Sequence, residues 1–294
     1  LFTHGLEKIT AIYDDVIEKP ENNFTANGHV VILTKQMLMP PHAPSLDTLN
    51  FAAKLIKEYG KTVIIVATAE ASHSYGGAIA PGYLASLDER FLSSKTIQYD
   101  GLNIPFHMAG NGVFSLESAA LTIKLIDALN PEMILSVSAP SLFAEAFAHR
   151  CFTFIYPTSK GLPVAKDCHF HTWDQLSAEA EKTVLQDNLS EKHLFAQHPG
   201  FDVKPPSTSL TRAQFSIPED AFVFVVVGTR LDSDVDDAFL AILENIVTHP
   251  SAFIAFGGNF KTYEAQMKKF PALKDRSAWL GFQSDIMAVY NISD

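Results

Sequence analysis

The chain has few cysteines, little positive charge and no long apolar run. Only Cys151 and Cys168 occur in 294 residues, which excludes the disulfide framework of small secreted domains and fits a reducing compartment. The formal net charge is −11, and a general nucleic-acid-binding protein would need a basic face instead. A small anionic ligand is compatible with this charge because it needs only a local positive field.

Signals for membrane insertion and secretion are also lacking. No apolar run approaches the ~20 residues of a membrane-spanning helix, and no basic segment followed by an apolar one opens the chain. We therefore expect a cytoplasmic protein, with peripheral association with the inner face of a membrane left open. The sequence begins at Leu1 and ends at Asp294, directly after a predicted helix, so a piece of a longer chain is expected.

Several sequence motifs of nucleotide-binding and hydrolytic enzymes are missing. Without Gly-x-Gly-x-x-Gly or a P-loop, the sequence does not favour a dinucleotide oxidoreductase or an NTPase. Gly-x-Ser-x-Gly and His-Glu-x-x-His are absent too, which leaves hydrolase and metalloprotease without motif support.

Short β-branched runs alternate with amphipathic segments along most of the chain, and 47% of residues are hydrophobic, enough for real cores. Ser45 is predicted to cap one helix and Gly60 to end it, and Asp100-Gly101 indicates a hairpin. The predicted strands are 29–34, 62–67, 95–99, 103–108, 132–137, 152–156, 221–227, 252–256 and 278–281. The predicted helices are 6–17, 45–59, 115–129, 140–148, 235–247, 263–270 and 284–292.

This alternation predicts an α/β fold with parallel sheets, arranged as two Rossmann-like domains. The first, with a leading helix, is expected over 1–190 and the second over 191–294. The second domain is expected to be incomplete, with three or four strands. The sequence makes no prediction of the oligomeric state.

Ligands of open parallel sheets bind beyond the carboxyl ends of the strands, so the loops there hold the candidate residues. Gly228-Thr229-Arg230 follows an apolar strand; the glycine permits close backbone approach, and the arginine offers forked donors for phosphate oxygens. The alternative is an arginine that pairs with Asp232 or Asp234. Gly257-Gly258-Asn259 also follows a strand and can expose backbone N–H groups to an anion, or form a plain turn.

Two loops of the first domain are further candidates. The loop with Pro41, His42 and Ser45 leads into a helix N-terminus, which suits an anion or a polar substrate, and His42 can act as acid, base or donor. The loop with Thr158 and Ser159 offers hydroxyl groups after a buried strand. A rigid connection and a surface turn are the respective alternatives.

The segment Cys168-His169-Phe170-His171 contains residue types that bind zinc. No second ligand pair stands at zinc-finger spacing, so polar packing near an interdomain segment is favoured and no metal site is predicted.

The order of several segments resembles the GT-B glycosyltransferases, and among them the retaining group 1 enzymes, often called family 4, of bacterial polysaccharide and surface-glycan biosynthesis. Each segment is degenerate, and it is their order that carries the resemblance over most of residues 27–294. They are the Pro-rich loop with His42, NPEMILSVSAPSLFAEAF at 130–147, FTFIYPTSKGLP at 152–163, RAQFSIP at 212–218, VVVGTRLD at 225–232 and WLGFQSDIMAVYNISD at 279–294.

The resemblance implies a hexosyltransferase that moves a sugar from a nucleoside-diphosphate donor to a glycan, lipid-linked or protein acceptor, without metal or cofactor. It implies that Arg230 contacts the donor diphosphate and that His42 and Thr158 face the reacting sugar. The implied donor-binding residues are Gly228, Thr229, Arg230, Gly257, Gly258, Asn259, Gly281 and Phe282, with Phe282 beside the base. The implied acceptor-side loop residues are Pro41, His42, Ser45 and Ser159.

The sequence also departs from this family. The family usually places a phosphate-binding lysine after its arginine, whereas residues 232–237 here are acidic and contain no lysine. A later loop with a glutamate is expected beyond Asp294. Two alternatives therefore stay open: a nucleotide-sugar 2-epimerase, which the scarcity of carboxylates at first-domain strand ends disfavours, and a non-catalytic GT-B-like subunit that binds a partner glycosyltransferase or an unfolded peptide.

Overall fold

The computed structural model describes residues 2–17, 28–38, 42–70, 88–112, 114–138, 140–158, 165–171 and 205–294. The chain divides into two compact units, Leu1–Phe201 and Asp202–Asp294. The boundary predicted between residues 190 and 191 lies outside the described residues.

The described part of the first unit contains a seven-stranded sheet in the order β3-β4-β2-β1-β5-β6-β7. All neighbouring strands are parallel except β3 and β4, which form the predicted hairpin. The strands are β1 His29–Thr34, β2 Thr62–Ala67, β3 Thr96–Tyr99, β4 Leu102–Met108, β5 Met133–Val137, β6 Phe152–Tyr156 and β7 His169–Phe170. The helices are α1 Phe2–Val16, α2 Ala43–Tyr59, α3 Leu116–Leu129 and α4 Leu142–Phe147.

The central strands are largely apolar because both faces of the sheet are covered. In β1, Val31 and Leu33 pack with residues of α1, α3 and α4 on one face. The alternate residues Val30 and Ile32 pack with α2 on the other face. This arrangement leaves the ends of the strands as the places where polar side chains can gather.

The ends of α2 confirm one prediction and correct another. Gly60 adopts the predicted left-handed conformation, with φ of 62°, and its N–H donates to carbonyl groups of the last turn. Ser45 does not cap the helix, because α2 begins at Ala43 and His42 occupies the N-cap position. Pro44 lies in the first turn, where its missing N–H costs nothing.

The second unit contains a parallel three-stranded sheet in the order β10-β9-β8. Its strands are β8 Phe222–Gly228, β9 Ala252–Gly258 and β10 Ser277–Gly281. Its helices are α5 Leu231–Asp234, α6 Asp237–Ile246, α7 Tyr263–Lys269, α8 Pro271–Lys274 and α9 Ile286–Tyr290.

Two details of the second unit differ from the sequence prediction. The single helix predicted over 235–247 is wrong, because Val235 is extended and Asp236 caps a new helix by accepting a 2.7 Å hydrogen bond from the Phe239 N–H. Gly257 and Gly258 belong to β9, rather than to a turn after it. None of the helices in the described part of the chain is long and apolar enough to cross a membrane.

Candidate functional site

Strands β8 and β9 end side by side, which brings together two of the predicted loops. Gly228 lies opposite Gly258 in the parallel register, so Thr229 and Arg230 follow at the same edge of the sheet as Asn259. The Asn259 side chain donates a 3.2 Å hydrogen bond from Nδ2 to the Thr229 carbonyl. The two loops therefore form one continuous surface.

The contact between these loops requires glycine. Gly258 has a φ of +146°, and a β-carbon built there would lie 1.7 Å from the Gly228 carbonyl oxygen. A β-carbon on Gly228 would lie 2.9 Å from Cδ2 of Leu231, and one on Gly257 would lie 3.2 Å from Cγ1 of Val289. The glycines let the two strand ends approach this closely; Gly257 and Gly258 are buried, and Gly228 is partly exposed.

Arg230 lies at the N-cap position of α5, beside the glycine contact. Its side chain is 68% exposed, and its guanidinium lies 3.7 Å from the Asp234 carboxylate, which is also exposed. One alternative from the sequence, a pair with Asp234, is therefore present. An exposed ion pair of this length contributes little, so it leaves the guanidinium open to a stronger anionic ligand.

Asp232 has a different role from that of Asp234. Its carboxylate accepts hydrogen bonds from the Thr262 N–H (2.8 Å), the Thr262 hydroxyl (2.7 Å) and the Lys261 N–H (3.1 Å). The hydrogen bonds from Thr262 lower the pKa of Asp232. This acidic residue joins the loop after β8 to the loop after β9, so it holds the edge together.

The end of β10 adds aromatic side chains to the same edge. Gly281 lies opposite Gly257 in the register, and it has a φ of +71°. Phe282 follows and is 47% exposed, while Trp279 is 42% exposed. The Trp279 indole N–H donates a 2.8 Å hydrogen bond to the Gly258 carbonyl, which fixes its ring beside the glycine contact.

The structure thus brings the donor-binding residues that the resemblance implied to one edge of the second unit. They are Gly228, Thr229, Arg230, Gly257, Gly258, Asn259, Gly281 and Phe282.

His42 of the first unit is held between two side chains. Gln36 Nε2 donates to His42 Nε2 (3.1 Å), so the proton resides on Nδ1, which donates to the Ser45 hydroxyl oxygen (2.7 Å). That oxygen also accepts a 2.9 Å hydrogen bond from the Leu38 N–H. His42 and Ser45 therefore tie the loop after β1 to the start of α2. The acceptor-side residues Pro41 and Ser159 lie outside the described residues.

Thr158 follows β6, so it lies at the same sheet edge as His42, with β5 between their strands. Its side chain is partly exposed. The predicted pair is thus placed on one edge but two strands apart.

Sequence reasoning missed two charged residues at this edge, Lys35 after β1 and Glu70 after β2. The buried Glu70 carboxylate accepts hydrogen bonds from the Leu142 N–H (2.7 Å) and the Thr68 hydroxyl (2.6 Å). Burial raises the pKa of Glu70, and the nearby Lys35 charge opposes that shift. The sequence analysis expected few carboxylates at the strand ends of the first domain and therefore missed Glu70. The position of Glu70 shortly after the strand TVIIVA was the signal that could have revealed it.

The Cys-His segment packs into the core of the first unit. Cys168 and Phe170 are buried, and His171 is buried with its ring stacked on Tyr156 at 5.7 Å between centroids. The Glu145 carboxylate accepts hydrogen bonds from the Lys166 and Asp167 N–H groups and so anchors the approach to β7. Within the described ranges, no three His, Cys, Asp or Glu side chains gather in a way that could hold a metal ion.

No model of a known protein family matches the sequence, and no curated protein sequence matches it significantly. Solved structures do match. The apo form of WaaB, a lipopolysaccharide outer core galactosyltransferase, aligns with a TM-score of 0.53 at 12% identity over 90% of this chain and 70% of that one. WaaG, a glycosyltransferase of lipopolysaccharide biosynthesis, aligns with a TM-score of 0.54 at 9% identity over 90% of this chain and 73% of that one.

A third similar structure is HepE from Anabaena in complex with UDP and glucose. It aligns with a TM-score of 0.55 at 15% identity over 90% of this chain and 72% of that one. These neighbours are GT-B proteins, so the predicted fold class is confirmed: the chain has the GT-B fold.

Proposed function

We propose that this protein is a glycosyltransferase that binds a nucleoside-diphosphate sugar at the carboxyl edge of the second-unit sheet. The observation that carries the proposal is the contact of Gly228 with Gly258 beside the exposed Arg230. The partly exposed Gly228 and the exposed Thr229 precede this arginine, and exposed backbone beside a guanidinium suits a diphosphate, which needs close approach and charge neutralisation. The complex of HepE with UDP and glucose supports a donor of this class.

Arg230 supplies the electrostatic part of the proposed mechanism. Cleavage of the bond between sugar and phosphate builds negative charge on the departing diphosphate. A guanidinium fixed at that point interacts more strongly with the transition state than with the ground state, which lowers the barrier. We propose that this cation makes a metal ion unnecessary and that the enzyme transfers hexoses with retention at the anomeric carbon.

Phe282 and Trp279 are proposed to hold the base of the nucleotide. Both rings are partly exposed at the edge where β10 ends. Stacking of a base on an aromatic face contributes about 1–3 kcal/mol and tolerates different bases. The rings therefore supply affinity, whereas Arg230 supplies the preference for a diphosphate.

The first unit is proposed to hold the reacting sugar and the acceptor. Both ring nitrogens of His42 are engaged by Gln36 and Ser45, so His42 is proposed to position its loop instead of carrying a proton. The Thr158 hydroxyl is proposed to donate to the sugar. The proposed acceptor is a glycan, free or linked to lipid or protein, and the proposed location is the cytoplasm, with peripheral contact to a membrane.

A nucleotide-binding measurement tests this function. Isothermal titration with a panel of nucleoside diphosphates is expected to find one that binds the wild-type chain. Arg230→Ala is expected to lose about 1.5–3 kcal/mol of that binding energy, the usual contribution of a hydrogen-bonded charge. Lys274→Ala removes another exposed cation of the second unit, on α8, and is expected to bind as the wild type does.

Thermal shift gives an independent reading. A nucleotide at about 100 times its dissociation constant adds about 2.7 kcal/mol of stability. If no nucleoside diphosphate binds by either method, the non-catalytic subunit becomes the better account. Product analysis with the donor sugar alone separates the remaining enzyme classes, because an epimerase converts the donor without an acceptor and a transferase does not.

A further inference from the structure

The seven-stranded sheet of the first unit reverses its winding between β1 and β5. From β1 the order runs through β2 to β4 on one side and through β5 to β6 on the other. At such a reversal the connections leave in opposite directions, so a crevice opens beyond the carboxyl ends of the two strands. Thr34 and Val137 end the two strands in register. The residues that follow them, Lys35 and Ser138, therefore lie at the mouth of this crevice.

Lys35 is a cation that is partly buried where β1 ends. Across the part of the chain that the structure describes, no side chain or carbonyl forms a hydrogen bond or an ion pair with its ammonium group. Glu70 is the charged neighbour that acts on it, and each Glu70 oxygen accepts one hydrogen bond, from Thr68 or from Leu142. Burial of an ammonium group without partners is unfavourable, so an acceptor for Lys35 is lacking among the residues that the structure describes.

Ser138 also has a polar side-chain group without a hydrogen-bond partner among the described residues. Its hydroxyl oxygen, which is this group, is buried. Its φ is +145°, a backbone conformation that non-glycine residues rarely adopt. The Ser136 hydroxyl stabilises this conformation by donating a 3.1 Å hydrogen bond to the Ser138 carbonyl. Strained backbone of this kind persists where surrounding contacts hold it, and it occurs often at ligand sites.

We infer that Lys35 and Ser138 bind an anionic oxygen group, a phosphate or a carboxylate, of a ligand that enters the crevice between β1 and β5. Both side chains supply hydrogen-bond donors, the Lys35 ammonium group and the Ser138 hydroxyl. Burial lowers the pKa of Lys35, and the nearby Glu70 charge opposes that shift. These residues belong to the first unit, whereas Arg230 belongs to the second.

The inference rests on the proposed function in one respect only, namely which molecule carries the anionic group. If the protein is a glycosyltransferase, the group belongs either to an anionic acceptor or to the donor diphosphate. Inorganic phosphate represents the shared chemistry, so it is the probe for the site itself.

The experiment is a calorimetric titration of the full chain with inorganic phosphate in an Arg230→Ala background, which removes binding at the second unit. Lys35→Met in this background is expected to weaken phosphate binding at least about tenfold, and Ser138→Ala to weaken it less. Lys54→Met removes an exposed lysine of α2 that pairs with Glu58, and no change is expected there. Equal affinity with and without the Lys35 ammonium would overturn the inference, as would the lack of saturation up to about 50 mM phosphate.

A second measurement covers the case in which Lys35→Met does not fold. Acetylation of lysines in the wild-type protein is followed by mass spectrometry with and without phosphate. Phosphate is expected to protect Lys35 and to leave the acetylation of Lys54 unchanged. Equal acetylation of Lys35 in both conditions would contradict the inference.

A further titration identifies the molecule that carries the anion. It measures binding of the nucleoside diphosphate found in the panel, in proteins that retain Arg230. Weaker nucleotide binding in Lys35→Met assigns the anion to the donor, whereas unchanged nucleotide binding assigns it to the acceptor. Both results require the phosphate site to be present. If no nucleotide binds at all, the proposed function fails, but the phosphate titration still decides the site.

Discussion

The carbonyl oxygen of Gly228 lies 1.7 Å from the point that a β-carbon on Gly258 would occupy. No side chain can be accommodated between these two backbones, since the obstructing atom belongs to the main chain of a paired strand. The same contact joins the two loops proposed to bind the diphosphate. The stability of the second unit and the proposed nucleotide binding are therefore expected to depend on one pair of glycines.

Gly258→Ala is expected to destabilise the second unit by about 3 kcal/mol or more, because it adds a backbone clash to an unfavourable φ. Hydrogen exchange measured on peptides from residues 205–294 reports this locally. Gly281→Ala is the matched control, since Gly281 also has a positive φ, of +71°, but open space around its β-carbon position. The control is expected to cost about 1–2 kcal/mol. Equal exchange rates in the two variants would contradict the importance of the clash.

Asp285 links the acid stability of the second unit to a specific set of hydrogen bonds. Its carboxylate accepts from the backbone and hydroxyl groups of Ser207 and Thr208, and from the Met287 and Ala288 N–H groups of α9. The Ser207 hydroxyl is the largest cause of a pKa lowered well below the usual range.

A carboxyl group whose pKa is lowered by folding stabilises the protein above its unfolded pKa of about 3.9 and loses that effect as the pH falls through the folded pKa. The second unit is therefore expected to lose protection from hydrogen exchange below about pH 4. Asp285→Asn is expected to exchange faster at pH 7 and to show a flatter pH profile. Asp275→Asn, which changes an exposed aspartate at the end of α8, serves as the control. Parallel pH profiles for wild type and Asp285→Asn would be incompatible with this role.

Asp234 is expected to compete with a diphosphate for Arg230, because its carboxylate lies 3.7 Å from the guanidinium. Asp234→Asn removes the competing charge and is expected to tighten nucleoside-diphosphate binding by about 0.3–1 kcal/mol, the range of exposed ion pairs. Titrations at low and high salt separate this effect from a structural one, since the gain is expected to shrink as salt screens the charges.

The control for that prediction is Asp237→Asn on α6, whose carboxylate pairs with Lys269 and not with Arg230. It is expected to leave the nucleotide affinity unchanged. Weaker binding in Asp234→Asn would mean that this carboxylate orients Arg230 toward the ligand instead of competing with it.

Much of the fold could be predicted from the sequence because buried parallel strands appear there as short runs of β-branched residues. HVVILT, TVIIVA and FTFIY form strands with the predicted bounds. Local turn chemistry was equally readable at Asp100-Gly101, where the chain reverses between β3 and β4. The edge formed by Gly228 and Gly258 was also accessible, since a strand end followed by glycine is a local signal.

The parts that sequence reasoning missed depend on which strands become neighbours. Lys35 and Ser138 are separated by more than a hundred residues, and nothing near either one states that β1 pairs with β5. Glu70 looks like an ordinary loop acid until the N-terminus of α4 is placed against it. A single sequence carries no information on such long-range pairs, so charged groups at the sheet reversal could not be grouped in advance.

The two cysteines report on the opening of the first unit. Burial raises the pKa of Cys151 to about 12, and burial together with the nearby Glu145 raises the pKa of the fully buried Cys168 further. Alkylating reagents attack the thiolate, so neither cysteine is expected to react with iodoacetamide at pH 8 in the native protein. In urea, both are expected to react at the rate of an ordinary thiol.

Ser251→Cys, at an exposed position of the second unit, provides a reference thiol in the same molecule. Mass spectrometry measures the labelling rate of each native cysteine and that of the reference thiol. The first rate divided by the second gives the fraction of time for which the first unit is open. Cys168 next to the anchored β7 is expected to label only on unfolding, because its contacts belong to the main core of this unit. Native labelling of Cys168 at the reference rate would show that β7 separates readily from β6.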